Sequence, residues 1–241
     1  MARSLLAKDL AFLFIAMNKT FVCLILLFNT LLSYSQTKAE KLFGTWLVVH
    51  GNHIISNHWS INTGFQARYY KIASNYNLSL GYVGVNYKIT ESFIANITYG
   101  YLDIDRTFDR SVIPNTIEHR HFEQLSYTNK LLDISFSQRL RLEHRHLHSV
   151  VQNTLVNRVR YRIKSKVPIT PHLYFNINNE FFFEFEGKGY TENRFISALG
   201  CKLSEYLAIE LGYLHQYIND FHLHRLQIGI LFKTDLRKKK N

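Results

Sequence analysis

From Ile134 to Arg145 the chain alternates almost residue by residue. Ile134, Phe136, Leu140 and Leu142 share one parity, and Ser135, Ser137, Arg139, Arg141, Glu143 and Arg145 share the other. The next segment repeats the pattern, with Val159, Tyr161 and Ile163 against Arg158, Arg160, Arg162 and Lys164. Side chains of a strand point to opposite faces in turn, so each segment has an apolar wall and an arginine wall. The same two walls recur in Trp59, Ile61, Phe65 and Tyr69 against Ser60, Asn62, Gln66 and Arg68, and in Phe175, Ile177, Phe181 and Phe183 against Asn176, Asn178, Glu180 and Glu184. Ile209, Leu211, Tyr213 and Tyr217 oppose Glu210 and Gln216, and Leu226, Ile228, Ile230 and Phe232 oppose Arg225 and Gln227. A chain patterned this way is all-β. No segment beyond the first 35 residues is a continuous apolar run of the ~18 or more residues that a membrane helix needs, so a helical membrane protein is excluded.

Breaks near 56–57, 72–75, 90–92, 105–115, 129–131, 147–152, 166–171, 186–191, 204–206 and 218–222 leave runs of about 10 to 16 residues, long enough for a tilted strand to cross a bilayer. Short turns alternate with longer loops, as at the two ends of an outer-membrane barrel. The expected fold is therefore an antiparallel transmembrane β-barrel of 10–12 strands. The runs number eleven. Bacterial barrels favour even counts, so region 37–53 pairing differently would give ten, and a merged pair of strands would give twelve. A secreted β-sandwich is the alternative, though its strands are shorter and its solvent face more mixed. Trp46, Trp59, Tyr69, Tyr87, Tyr101, Tyr127, Tyr190 and Tyr217 lie near segment ends, where interfacial girdles would form. Two positions break the pattern. Glu123 falls on the apolar wall, where a rim position is the only explanation at hand, and the 77–88 run slips phase around Gly81 and Gly84, where a bulge would fit.

The N-terminal region carries an address. After Met17, Lys19 precedes an apolar run from Phe21 to Leu32 and then Ser33-Tyr34-Ser35, the layout of a secretory signal cleaved after Ser35. Met17 is a plausible true start. The expected organisation is a signal peptide over 1–35, a periplasmic lead-in over 36–42, a barrel over 43–234 and a basic solvated tail over 235–241. Two cysteines, Cys23 and Cys201, supply neither a disulfide framework nor a zinc spacing. Near the C-terminus, Gln227-Ile-Gly229-Ile-Leu-Phe232 resembles the terminal signal read by the barrel-assembly machinery, although the chain runs on to Asn241.

The polar wall also carries an ordered series of motifs. Glu118-His-Arg120 with Gln124 is followed by Arg139-Leu-Arg141-Leu-Glu143-His-Arg145, then by Arg158-Val-Arg160-Tyr-Arg162 with Pro168. Asn179-Glu180-Phe181-Phe182, Asn193-Arg194 and Gly212-Tyr213 complete it. Over most of 43–232 this series resembles the domain-of-unknown-function family 2490. The resemblance implies an outer-membrane barrel of the kind found in Bacteroidetes, and it implies no activity.

The formal net charge of +11 admits nucleic acid, an acidic membrane surface or an anionic solute as partner. The alternation directs much of it inward. Arg68, Arg120, Arg139, Arg141, Arg145, Arg158, Arg160, Arg162, Arg194 and Arg225 outnumber Glu118, Glu143, Glu180, Glu184 and Glu210 on the same wall. Arginine forks bind carboxylates in two-point contacts, so these residues would form a charge network filling a narrow lumen. Surplus arginine lining a water-filled lumen would instead pass anions. The expected function is a structural or narrowly anion-permeable barrel in the outer membrane, monomeric, with lipid, the assembly machinery and small anionic solutes as partners and no nucleic acid. A lipid-acting enzyme is the alternative, pairing His119, His121, His144 or His146 with Ser126, Ser135 or Ser137, but no Gly-x-Ser-x-Gly elbow occurs and no catalytic residue is assigned. His144-Arg-His146-Leu-His148 and His222-Leu-His224 are read as rim residues, with no metal and no cofactor expected.

Overall fold

A computed structural model describes residues 40–107, 114–187 and 189–237; the signal peptide expected over 1–35, most of the expected lead-in and the end of the expected tail lie outside them. Eleven strands follow one another: β1 (Phe43–Ile54), β2 (Trp59–Lys71), β3 (Ser74–Lys88), β4 (Phe93–Ile104), β5 (Thr116–Leu131), β6 (Ile134–His148), β7 (Asn153–Pro168), β8 (Leu173–Glu184), β9 (Tyr190–Lys202), β10 (Leu207–Ile218) and β11 (Phe221–Asp235). They form a single closed barrel in sequence order. The sandwich alternative is thereby overturned, because one sheet closes on itself instead of two sheets packing face to face.

Sequential neighbours are antiparallel, so an odd number of strands leaves β1 and β11 running the same way. The barrel closes through a parallel pair, in register from Phe43 opposite His224 to Ile54 opposite Asp235. The preference for an even count, which argued for ten or twelve, is met neither way. Parallel pairing is only slightly less stable per residue than antiparallel, and closure leaves no strand edge unpaired.

The two rims differ in their chemistry. One, the loop rim, carries the connections after β2, β4, β6, β8 and β10, including the 105–115 loop. The other, the turn rim, carries those after β1, β3, β5, β7 and β9. Four turn-rim connections share a device: a hydroxyl accepts hydrogen bonds from amides two or three residues on. Ser56 Oγ accepts from Trp59 N at 3.0 Å, Thr90 Oγ1 from Phe93 N at 3.0 Å, Thr170 Oγ1 from Leu173 N at 2.9 Å and Ser204 Oγ from Tyr206 N at 3.1 Å. At the loop rim, β10 and β11 join through Asn219 and Asp220, both at positive φ, as a two-residue hairpin turn requires.

The phase slip in β3 has a physical origin other than a bulge. The register is continuous through Gly81 and Gly84, and the one irregularity of the β2–β3 ladder comes before them, where Arg68 and Tyr69 pair with Leu78 and Tyr76 and leave Asn77 of β3 as the extra residue. Leu78, Leu80, Leu102 and Ile104 pack together inside the barrel with Tyr82, while Ser79 and Gly81 occupy the outer parity. This sector has an apolar interior, so alternation fades there without any change of register.

Close approach fixes some glycines. A Cβ at Gly51 would lie 2.6 Å from Phe232 Cζ and 2.8 Å from Thr63 Oγ1, across the β1–β11 seam, whereas one at Gly81 would meet nothing within 4 Å. Gly51→Val should therefore force Phe232 aside and destabilise the barrel by about 1–3 kcal/mol, the usual range for overpacking. Gly81→Ala should leave the urea midpoint nearly unchanged. Equal midpoints for the two variants would show that the seam does not limit stability.

Candidate functional site

The strand parity sends every charged residue of the arginine wall inward, and the interior closes around three carboxylates with no solvent-exposed surface to speak of: Glu118, Glu143 and Glu192. Glu118 on β5 accepts from Arg120 Nε at 2.6 Å and from both Nε (3.0 Å) and Nη2 (2.9 Å) of Arg145 on β6. Glu143 on β6 accepts on one oxygen from Arg158 Nε at 3.0 Å and Nη2 at 2.6 Å, and on the other from Arg160 Nη1 at 2.6 Å. Arg141 approaches the same carboxylate at 3.4 Å. Glu180 on β8 takes Arg160 in a two-point contact, Nε at 3.2 Å and Nη2 at 2.7 Å, and also accepts from Arg139. These contacts link β5, β6, β7 and β8 through shared carboxylates, and Arg158 extends the chain to Glu192 of β9 at 3.7 Å.

Aromatic rings complete the packing between the guanidiniums. Phe182, fully buried, is ringed by Arg158, Arg160 and Arg194, whose Cζ atoms lie 4.9, 4.4 and 4.4 Å from its centroid. Arg141 lies 3.9 Å from the Phe122 ring. Arg68 stacks 3.5 Å above Trp46. A guanidinium is weakly hydrated and planar, so the face of an aromatic ring can replace part of its water shell. Trp46 is thus an interior residue and not part of a girdle; its Nε1 donates to Gln66 Oε1 at 3.1 Å.

Other residues of the wall are placed differently. Glu184 accepts from Arg145 Nη1 at 3.3 Å near the loop rim. Glu210 has no arginine; it accepts from the Tyr174 hydroxyl at 2.9 Å and Asn176 Nδ2 at 3.1 Å. Arg225 donates to the Tyr69 carbonyl at 3.0 Å, and Arg68 to Gln66 at 3.0 Å. Glu192 was missed by sequence reasoning, because it follows directly on the 186–191 break. The signal that would have found it is its spacing: Glu192-Asn-Arg194 repeats Glu118-His-Arg120, and in both the arginine Nε returns to the glutamate two residues before, at 2.5 and 2.6 Å. Gln216 Nε2 also donates to Glu192, at 2.6 Å.

The outer wall resolves the remaining polar residues. His119, His121, His144, His146 and His148 on β5 and β6, with His215, His222 and His224 on β10 and β11, project outward near the loop rim. They meet tyrosines and one another: Tyr99 Oη and His119 Nδ1 are 2.7 Å apart, Tyr213 Oη and His224 Nδ1 2.5 Å, and His215 Nε2 and His222 Nδ1 3.1 Å. Glu123 is not a rim residue. It stands on the outer face opposite Leu142, with His144 Nε2 3.5 Å away and His144 Nδ1 2.7 Å from Asn157 Oδ1. Ser126, Ser135 and Ser137 share the parity of Arg139 and face inward, so the wall of the barrel separates them from these imidazoles. Among the described residues, no group of three or more His, Cys, Asp or Glu has the geometry to hold a metal ion.

Buried ion pairs are costly to break from one side, because the orphaned charge remains in the interior. Glu143→Gln keeps the shape and leaves Arg158 and Arg160 without their shared carboxylate, so it should destabilise the barrel by about 3–5 kcal/mol. Glu91→Gln, which removes the exposed partner of Lys88 on the β3–β4 turn, should not move the urea midpoint. A Glu143→Gln midpoint matching wild type would mean that the network contributes no net stability.

No curated protein matches the sequence. The family model described as "Protein of unknown function (DUF2490)" matches residues 43–227, from the first residue of β1 into β11, and so takes in the whole interior network. The chain belongs to the DUF2490 family.

Proposed function

We propose that this barrel resides in the bacterial outer membrane and that a charge-paired core closes its interior, making it a structural barrel and not a through-pore. One observation carries the membrane reading: the outer face is apolar and exposed on nearly every side. Phe65, Val83, Ile97, Leu125, Leu140, Ile163, Leu199, Leu211 and Ile230 are all exposed, from strands that together encircle the barrel. A soluble protein rarely exposes a continuous apolar patch beyond a few hundred Å², and a belt of this extent supports contact with lipid. Trp59, Tyr87 and Phe93 border it toward the turn rim, and Tyr99, Tyr101, Tyr190 and Tyr213 toward the loop rim, as interfacial girdles do.

The seal is supported by the burial of side chains that face the interior. Glu118, Glu143, Phe182, Leu102 and Leu214 have no exposed surface, whereas a water-filled channel would wet residues at these positions. By analogy with other barrels, the loop rim faces outward and the turn rim faces the periplasm, which puts the start of β1, at the loop rim, on the outer side and not in the periplasm expected for the 36–42 lead-in. The Gln227–Phe232 signature then lies on the last strand as it approaches the periplasmic rim, where the assembly machinery would engage it. Residues 1–35 would direct export. Lipid is the principal partner of the mature chain, which works as a monomer without a catalytic role or cofactor.

Two measurements test this reading. The chain should fractionate with outer membranes, need detergent for extraction and migrate faster on a detergent gel when unheated. Recovery as a soluble protein would overturn the location. In planar bilayers the folded protein should show no steady conductance. Ohmic, anion-selective currents would establish the permeable barrel in place of the sealed one.

A further inference from the structure

The interior cations are not matched evenly along the barrel. Arg139 and Arg162 sit directly opposite each other on β6 and β7, a cross-strand pairing of like charges that is unfavourable by itself. The Nε of each is buried and has no hydrogen-bond partner among the described residues. Arg139 has one carboxylate contact, to Glu180, which is already engaged by Arg160 in two points. Arg162 makes no hydrogen bond or ion pair with any described residue, although Glu180, already engaged by Arg160 and Arg139, stands opposite it on β8 within electrostatic reach; Lys164, two residues on and on the same face, makes none either and faces Asn178.

Around them the acceptors that are not already engaged are neutral: Asn178 lies opposite Lys164, and Asn176, opposite Lys166, has its Oδ1 buried without a hydrogen-bond partner. Across the interior stand His50 on β1 and Tyr82 on β3, with His50 Nδ1 2.8 Å from the tyrosine hydroxyl, and both lie within the electrostatic reach of Arg139, Arg141 and Arg162. Lys166 stacks 3.5 Å over the Tyr174 ring, and Lys202 lies near it toward the turn rim. Glu210 is the one carboxylate whose field reaches both Lys164 and Lys166, and its oxygens are taken by Tyr174 and Asn176. Arg162 and Lys164 are half-buried, and a cation drawn out of water without a direct partner is unfavourable, which the rest of this interior avoids by giving its arginines a carboxylate, an amide or a carbonyl.

We propose that the turn-rim half of the interior is a blind binding site for a small oxyanion of the phosphate class, held by Arg162 and Lys164 with the free edge of Arg139, and facing the His50–Tyr82 pair. Two guanidinium edges and an ammonium suit a compact multivalent oxyanion. The lysines nearer the rim would draw such an anion in. The site depends on the closed barrel and its interior packing, and it does not depend on the membrane location.

The test uses the full mature chain folded in a neutral detergent, with inorganic phosphate as probe and chloride at matched ionic strength as control. Phosphate should raise the unfolding temperature saturably, and calorimetry should give one site per chain. Arg162→Gln and Lys164→Gln should each weaken that binding about tenfold or more, the effect of truncating one partner of a buried charge contact. Lys202→Gln should leave it within about threefold, the small effect typical of an exposed charge. Without phosphate, Arg162→Gln should unfold at the same temperature as wild type or above it, because the substitution removes a guanidinium that makes no hydrogen bond and shares Glu180 with Arg160 and Arg139, which hold that carboxylate directly. The proposal is overturned if phosphate does no more than chloride, or if both variants retain wild-type affinity. It is equally overturned if Arg162→Gln lowers stability in phosphate-free buffer, which would show that the guanidinium has a partner within the protein.

Discussion

A guanidinium inside a narrow barrel must exchange its water for something equally good, and this requirement organises the structure. The Arg158–Glu143–Arg160–Glu180 chain does so with two-point contacts and carboxylates shared between neighbours. The shared carboxylates tie adjacent strands together and also reach past them, Glu180 of β8 to Arg139 of β6 and Glu192 of β9 to Arg158 of β7, so side chains inside the barrel add cross-links that the backbone hydrogen bonds of its wall do not make. Phe182, Phe122 and Trp46 fill the gaps between planar cations, where an aliphatic side chain would leave the flat faces of the guanidiniums uncovered. The apolar sector built from Leu78, Leu80, Leu102 and Ile104 lies on β3 and β4, away from the arginine-rich β6 and β7. Charge pairing and apolar packing thus divide the interior between them.

Much of this could be read in the sequence because a strand's period is two residues, and one wall made of arginine leaves little doubt about which residues share a face. The break points also anticipate the connections, although β5 runs on to Leu131 and its turn falls at 132–133, just past the expected 129–131. Three things were hidden for physical reasons. Where both faces of β3 are partly apolar, alternation carries no information, and continuity of register had to come from cross-strand neighbours. Trp46 can serve equally as a girdle or as a guanidinium platform, and only the position of Arg68 opposite it in the β1–β2 register decides. Glu192 lay beside a predicted loop, where parity could not be counted across the irregularity between Phe182 and Phe183.

Parity of strand number was the least legible feature, because it depends on how the ends meet. Nothing in β1 or β11 marks either strand as unsuited to parallel pairing. Both are rich in Val, Ile and Leu along the seam, and Val48, Val49 and Ile54 of β1 lie opposite Gly229, Ile230 and Asp235. The glycines permit tight contact there: Gly51 receives the Phe232 ring, which a larger residue would exclude. An odd count also separates the ends of the described chain, with β1 starting at the loop rim and β11 finishing at the turn rim. An even barrel brings them to the same side.

The distribution of charge along the barrel follows from this frame. The Glu-x-Arg pairs, Glu118 with Arg120 and Glu192 with Arg194, lie toward the loop rim on β5 and β9, where Arg145, Arg158 and Gln216 join them. Toward the turn rim β7 continues its cationic series through Arg162, Lys164 and Lys166, while the facing positions of β8 change from Glu180 to Asn178 and Asn176. Asparagine can hydrogen-bond to a cation but cannot neutralise it, so the strand that supplies the counter-charge stops doing so halfway along. The interior charge is therefore largely paired from within at one end and left more strongly positive at the other, and that asymmetry is written into the register of two adjacent strands.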